Sequence, residues 1–264
     1  MDDQHLREIR QVCLKELLFF YYKANAGHIG ASLSCLDILI FLYFNYLEKE
    51  DRFILSKGHA ALALYVVLAN KGLIDKKLLE TFYSNGTLLA AHPPCNRKVN
   101  GITFGTGSLG HGLSLATGFA FSNRFTGKNN KVCCVLSEGD CDEGSTWEAA
   151  LFAAQYKLNN LLVIIDHNHL QGFGKTEEVL NLKPLNEKWQ SFNFNVTVAA
   201  NGNDFQSIAK AMNDLKQGDP KKPNCIIAQT TKGSGVSYME DRLEWHYLPM
   251  EPSQYEKAMN EMNK

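Results

Sequence analysis

From residue 131 onward, short and almost wholly apolar runs alternate with helical stretches, and that rhythm leaves few folds open. Val132–Leu136, Leu161–Asp166, Asn195–Ala199 and Cys225–Gln229 have strand length. Helical patterns over Thr146–Tyr156 and Phe205–Lys216 lie between them. Near-continuous apolar strands must be covered on both faces, so strands joined by helical crossovers predict a mostly parallel sheet with helices on both sides. The fold class is therefore α/β. Ligands of such sheets sit beyond the carboxyl ends of the strands, where loops turn into helices. Chemistry is expected just after Leu136 and just after Asp166.

The first third reads as helical over Leu6–Lys23, Cys35–Tyr46, Ala60–Ala69 and Lys76–Tyr83, with Gly-rich and His-containing turns between. No internal repeat or low-complexity linker interrupts the 264 residues, and residues 1–264 are expected to form one domain. With a formal net charge of −1 and scattered Lys and Arg, neither nucleic acid nor an acidic membrane is expected as a partner. Asp2 and Asp3 open the chain in place of the basic region of a signal peptide, and the apolar run Leu17–Tyr22 is too short to span a bilayer. Seven cysteines without a CxxC pair read as reduced thiols, which points to the cytoplasm.

Ser137-Glu138-Gly139-Asp140-Cys141-Asp142-Glu143-Gly144-Ser145 follows the first of these strands. After the second comes Asp166-His167-Asn168-His169-Leu170-Gln171-Gly172, which places Asn168 thirty positions beyond Glu138. An isolated acid-Gly-acid turn usually just closes a strand and caps a helix. An Asn at a second strand end suits a hard cation bound to diphosphate, because such a cation takes carboxylate, amide, carbonyl and phosphate oxygens. Glycine lets the backbone approach the diphosphate, and a helix N-terminus favours its charge. A second glycine cluster, Thr106 to Ser114, opens a helix of small residues over Leu115–Ala120. Histidines fall in apparent loops at His28, His59, His92, His111 and His246. They lack metal-ligand spacing, so no zinc cluster is expected.

The stretch from Glu138 to Ala149 is similar to the N-terminal, thiamine-diphosphate-binding subunits of split transketolases, and the resemblance runs from about Leu6 to Glu251. It implies the diphosphate-binding domain of that fold, with thiamine diphosphate and Mg²⁺ as cofactors and Ca²⁺ as a possible substitute. The register of Cys141 through Ser145 puts Glu138 where the family has its metal-binding Asp. The implied metal ligands are Glu138, Asn168 and the Leu170 carbonyl. Cofactor contacts are carried over to His59, Gly107, Ser108, Leu109, Gly139, Asp140, Asn168, Lys232 and His246. Catalytic roles fall to His28, His92 and His246. After His92, Pro94-Cys95-Asn96-Arg97 departs from the family pattern, and His111 stands where many full-length members have Gln. Glu143 resembles the glutamate that links cofactor sites across a dimer interface, and Asp37 resembles a family Asp with a structural role.

The resemblance further implies a reaction, transfer of a two-carbon ketol unit from a ketose to an aldose. It implies a partner as well: a second chain with the pyrimidine-binding domain and its catalytic glutamate, in a heterotetramer of two copies each. On this reading neither the pyrimidine-binding nor the C-terminal domain lies within residues 1–264. Two alternatives stand beside it, the α subunit of a 2-oxo-acid dehydrogenase and a catalytically degenerate regulatory subunit.

Overall fold

The structure, a computed structural model, describes residues 3–95 and 98–263. Helices α1 (Asp3–Ala24) and α2 (Ile29–Phe41) come first, and α2 runs on through a wider π-turn, Leu42–Tyr46. Strand β1 (Arg52–Leu55) precedes α3 (Ala61–Asn70) and α4 (Gly112–Phe125). Then come β2 (Val132–Ser137), the single turn α5 (Glu138–Cys141), α6 (Gly144–Gln155) and β3 (Leu161–His167). A small hairpin of β4 (Leu170–Gln171) and β5 (Gly174–Lys175) leads into α7 (Thr176–Val179) and α8 (Leu185–Ser191). The last elements are β6 (Asn195–Ala199), α9 (Phe205–Asp214), β7 (Asn224–Gln229) and α10 (Pro252–Glu261).

Five strands pair in the order β1-β2-β3-β7-β6, and every pair is parallel. Successive side chains point to opposite faces, so each central strand feeds two cores. Cys133, Val135, Leu162, Ile164, Ile226 and Ala228 pack with residues of α1, α2, α3 and α9. Val132, Cys134, Leu136, Val163, Ile165 and Ile227 pack on the other face with α4, α6 and α8. This is the covered parallel sheet that the apolar runs predict. All thirteen residues of α2 are buried. The helical stretch Ile29–Tyr46 is apolar and long enough to cross a membrane, yet 83% of it is buried inside the protein, as suits a central core helix.

Several elements differ from the sequence expectation. The edge strand β1 went unread because it has only four residues, set between Asp51 and Ser56. Helix α2 begins at Ile29 rather than Cys35. Gly30, Ser32 and Ser34 imitate a loop in sequence but are buried, and a Cβ on Gly30 would meet Trp245 at 3.1–3.2 Å. Lys76–Thr81 forms a 3₁₀ turn rather than an α-helix, and α4 extends well beyond Leu115–Ala120 at both ends. Helices α8 and α10 were not foreseen; α8 contributes only Leu185 and Trp189 to the core, and α10 only Ala258.

Helix α4 lies against the loop after β1 through Gly112, where a Cβ would fall 2.4 Å from both Cβ and Oγ of Ser56. Gly112→Ala should therefore destabilise the fold by about 1–3 kcal/mol through overpacking, despite a helix-propensity gain of ~1 kcal/mol. A denaturation midpoint that rises in this variant would contradict the packing described.

Candidate active site

The carboxyl ends of β1, β2, β3 and β7 open onto one cavity of about 280 Å³. Lys57 and His59 follow β1, Glu138 and Gly139 follow β2, Asn168 follows β3, and Lys232 follows β7. His28 enters from the turn before α2, with His246 from the segment before α10. His92, Gly107 and Leu109 complete the opposite wall. Gly107 has φ 149°, and a Cβ there would meet the His92 ring at 2.9 Å, so only glycine lets the loop close against that histidine.

At the floor, Lys57 and Asp166 form an ion pair with side chains only 1% and 0% exposed. The Lys57 ammonium also donates to the Ala31 carbonyl at 3.0 Å. Asp166 accepts from Thr230 Oγ1 and, at 2.6 Å, from Ser34 Oγ. Asn168 Nδ2 donates to Ser34 Oγ at 3.2 Å. Burial alone would push the Lys57 pKa down, but the Asp166 carboxylate outweighs it and holds the lysine charged.

Above this pair sit the four cavity histidines. His28 lies with ring centroids 5.6 Å from His59, 6.3 Å from His92 and 5.1 Å from His246. Burial, then the charge of Lys57, pushes the His59 pKa well below its usual value. Burial followed by Lys232 brings His246 down to about 3. His28 and His92 are lowered as well, chiefly by burial. At neutral pH these rings are neutral, so each offers one donor and one acceptor nitrogen. Lys232 is 1% exposed rather than a solvated loop lysine, and donates to His246 Nδ1 at 2.8 Å and to the Leu170 carbonyl at 3.3 Å. Burial and then Lys57 lower its pKa to about 8.

Two of the expected cofactor contacts, Asp140 and Ser108, lie outside the lining of this cavity. Asp140 does not line the cavity: its Oδ1 accepts from Ser56 Oγ at 2.5 Å and Gly110 N at 2.8 Å. Its Oδ2 accepts from Ser137 N at 2.7 Å and Ser137 Oγ at 2.9 Å, completing a capping box. Every oxygen is consumed in holding the turn. Ser108 is exposed and lines an adjoining groove with His111 instead. Of the expected metal ligands, Glu138, Asn168 and Leu170 all border the cavity. Asn168 Oδ1 accepts from Leu170 N at 3.1 Å, and the Leu170 carbonyl takes the Lys232 ammonium. Glu138 is the exception, because its buried Oε1 has no hydrogen-bond partner.

These residues fit an anionic group with an accompanying cation. The cationic wall carries one lysine paired to a carboxylate and a second, Lys232, bonded only to neutral acceptors. The buried Glu138 Oε1, without a hydrogen bond and 3.4 Å from His167 Nε2, is free to take up a cation. Glu143 is exposed at the start of α6, while Asp37 is buried and paired with Arg10 at 2.6 Å. Asp2, Asn96 and Arg97 lie outside the described residues. Sequence reasoning missed Lys57, Asp166, Gln171 and Tyr247 as cavity residues. The first two carried a signal, namely charges at the ends of two apolar strands.

Residues 6–262 match the family described as transketolase, thiamine diphosphate binding domain. The chain is 41% identical over 258 residues to an apulose-4-phosphate transketolase subunit of Phocaeicola vulgatus, covering 94% of this chain and 90% of that protein. It is 35% identical over 274 residues to a 6-deoxy-6-sulfo-D-fructose transketolase subunit of Clostridium sp., covering 100% and 97% respectively. Among solved structures, transketolase from Campylobacter jejuni superposes with a TM-score of 0.87 at 29% identity. The match covers 100% of this chain and 43% of that one, so the chain spans less than half of the solved enzyme.

Two outcomes follow from the buried charges. Asp166→Asn leaves the Lys57 ammonium buried without its counter-charge and should cost roughly 3–5 kcal/mol of stability. Adding Lys57→Met should recover part of that loss, and a double-mutant cycle in urea checks the coupling. The cavity histidines are neutral when folded but titrate near 6.5 when unfolded. As pH falls below about 6.5 the unfolded chain binds protons first, so the stability these groups allow at pH 7.5 drains away toward pH 5. His59→Gln should flatten that slope in calorimetric melts; an unchanged slope would mean that the ring takes up its proton as readily in the folded state as in the unfolded chain.

Proposed function

Because the chain belongs to the transketolase family through its thiamine-diphosphate-binding domain, we propose that it is one subunit of a two-chain ketol transferase. The observation that carries this reading is the convergence of His28, His59, His246 and Lys232 with Gly139 and Glu138 around one cavity at the strand ends. When bound, thiamine diphosphate supplies the carbon nucleophile and electron sink that break the ketose C–C bond. Lys232, His59 and His246 bind the diphosphate: a buried ammonium and two imidazole N–H groups facing an anion make charge-assisted bonds. Gly139, at the start of α5, lets the backbone come close to it, and Leu109 and Gly107 shape the wall beside the cofactor rings. Glu138 supplies a carboxylate to the divalent metal, and Asn168 and Leu170 are its neighbours at the β3 end.

His28 and His92 face the substrate. Neutral imidazoles can take a proton from a sugar hydroxyl and donate N–H to a carbonyl oxygen, the two proton tasks that C–C cleavage between ketose carbons requires. The donor is a ketose with an anionic end group, a reading supported by two relatives named for a sugar phosphate and a sulfosugar. The word "subunit" in those names supports a partner chain. On our reading that chain carries the pyrimidine-binding domain and its glutamate, in a heterotetramer of two copies each with Glu143 near the chain boundary. Residues 1–264 are then a single diphosphate-binding domain. A cytoplasmic setting fits the seven unpaired cysteines, six of them buried.

The purified chain alone should transfer no ketol unit, and adding the partner chain should restore transfer. Robust turnover by this polypeptide by itself would contradict the two-chain reading. In the assembled enzyme, His59→Ala and His246→Ala should each weaken thiamine diphosphate by about 1.5–3 kcal/mol. His28→Ala should mainly lower kcat. Equal cofactor affinity across all three variants, measured by titration calorimetry, would mean these roles are wrongly assigned.

A further inference from the structure

Tyr247 follows His246 in the segment before α10, and the turn before α2 holds that segment closely. The His28 N–H donates to the His246 carbonyl at 3.1 Å. A Cβ on Gly27 would fall 2.3 Å from the Tyr247 carbonyl oxygen, so the two backbones touch. With the main chain fixed, the phenol reaches back over the β4–β5 hairpin. A Cβ on Gly172 would fall 2.3 Å from Tyr247 Oη and 3.4 Å from His246 Nε2, so glycine there leaves the seat in which the hydroxyl lies. Tyr247 borders the cavity and is 53% exposed, which puts it at the rim. Its ring centroid is 6.1 Å from that of His28 at an interplanar angle of 69°, and the exposed His92 stands at 6.3 Å and 70°. The two exposed rings flank His28 on its outward side, and a molecule that reaches His28 from solvent passes both. Among the described residues no acceptor takes the Tyr247 hydroxyl proton, which leaves one donor and an acceptor oxygen unspent at the rim.

We infer that Tyr247 is a specificity-determining residue whose phenol hydrogen-bonds a hydroxyl on the part of the ketose that leaves as the aldose. The inference deepens the proposed ketol transfer and rests on it. His28 faces the carbons being separated, and Tyr247 stands outward of His28, so it meets carbons beyond the bond that breaks. The diphosphate belongs deeper, with Lys232, which is only 1% exposed. A phenol both donates and accepts, as a sugar hydroxyl does, whereas an anionic end group is better matched by a cation. A site that bonds a substrate hydroxyl discriminates against the analogue lacking it, because its own polar group is then left unpaired. At a half-exposed rim water takes up part of that loss, so the discrimination is several-fold rather than the thousands a fully enclosed site achieves. Gly172 is a positioning residue here, because it keeps the seat of the phenol open.

The test uses the assembled two-chain enzyme with D-fructose 6-phosphate or D-xylulose 5-phosphate as donor, and with analogues lacking in turn each free hydroxyl beyond C3. Tyr247→Phe removes one oxygen and keeps the ring. It should lower kcat/KM about 5- to 10-fold for the intact ketose, through KM, because a bond made alike in ground and transition states leaves kcat unchanged. With one of the deoxy ketoses the wild-type enzyme should already show that loss, and the substitution should then change nothing. Gly172→Ala, which pushes the flexible end of the tyrosine off its seat, should give the same pattern. For Tyr247→Phe, thiamine diphosphate affinity and melting temperature should stay at wild-type values. An equal loss on every donor, a loss of cofactor affinity or of partner assembly, or kinetics identical to wild type would each overturn the inference while leaving ketol transfer standing. A wild-type assembly that transfers no ketol unit from either ketose would instead sink the proposed function, and the inference with it.

Discussion

The ion pair between Lys57 and Asp166 is the constraint on which the site depends. It joins the loop after β1 to the end of β3, and through Ser34, Ala31 and Thr230 it also fastens α2 and the loop after β7. Two charges removed from water are stable only if their remaining hydrogen-bonding positions are filled. That requirement fixes α2 against the carboxyl end of the central strand β3 and aims three strand-end loops at one point. The cavity above inherits its shape and its sign from this floor.

That sign accounts for the chemistry of the wall. Lys57 and Lys232 lie close enough to lower each other's neighbours, and together with burial they keep His59 and His246 neutral. A cavity with one lysine bonded only to neutral groups is electrostatically incomplete. An anion there would relieve the cost of burying Lys232 and gain donors already in place, as proposed for the diphosphate. The same economy of polar groups explains Asp140, which looks like a ligand in sequence yet spends both oxygens on the turn that presents Glu138.

Much of this was legible in the residues. The parallel sheet followed from runs such as Leu161–Ile165, buried on both faces, and the site followed from the rule that ligands sit at strand carboxyl ends. The Glu138 register came from Cys141–Ser145 and from the step to Asn168. What escaped was decided by tertiary contact. Helix α2 hid its first turn in Gly30 and two serines because their burial depends on Trp245 and Asp166. The burial of Lys57 and Lys232 escaped because nothing local announces a partner 109 residues away or a wall of histidines.

The central claim is that this cavity holds the diphosphate of thiamine diphosphate. An experimental structure of the chain assembled with its partner and the cofactor tests it most directly. The account predicts diphosphate oxygens within hydrogen-bond distance of Lys232 Nζ and of the His59 and His246 rings, with Lys232 drawn away from the Leu170 carbonyl and the Lys57–Asp166 pair intact. Diphosphate bound outside this cavity, or Lys232 still bonded to Leu170 with the anion out of reach, would contradict it.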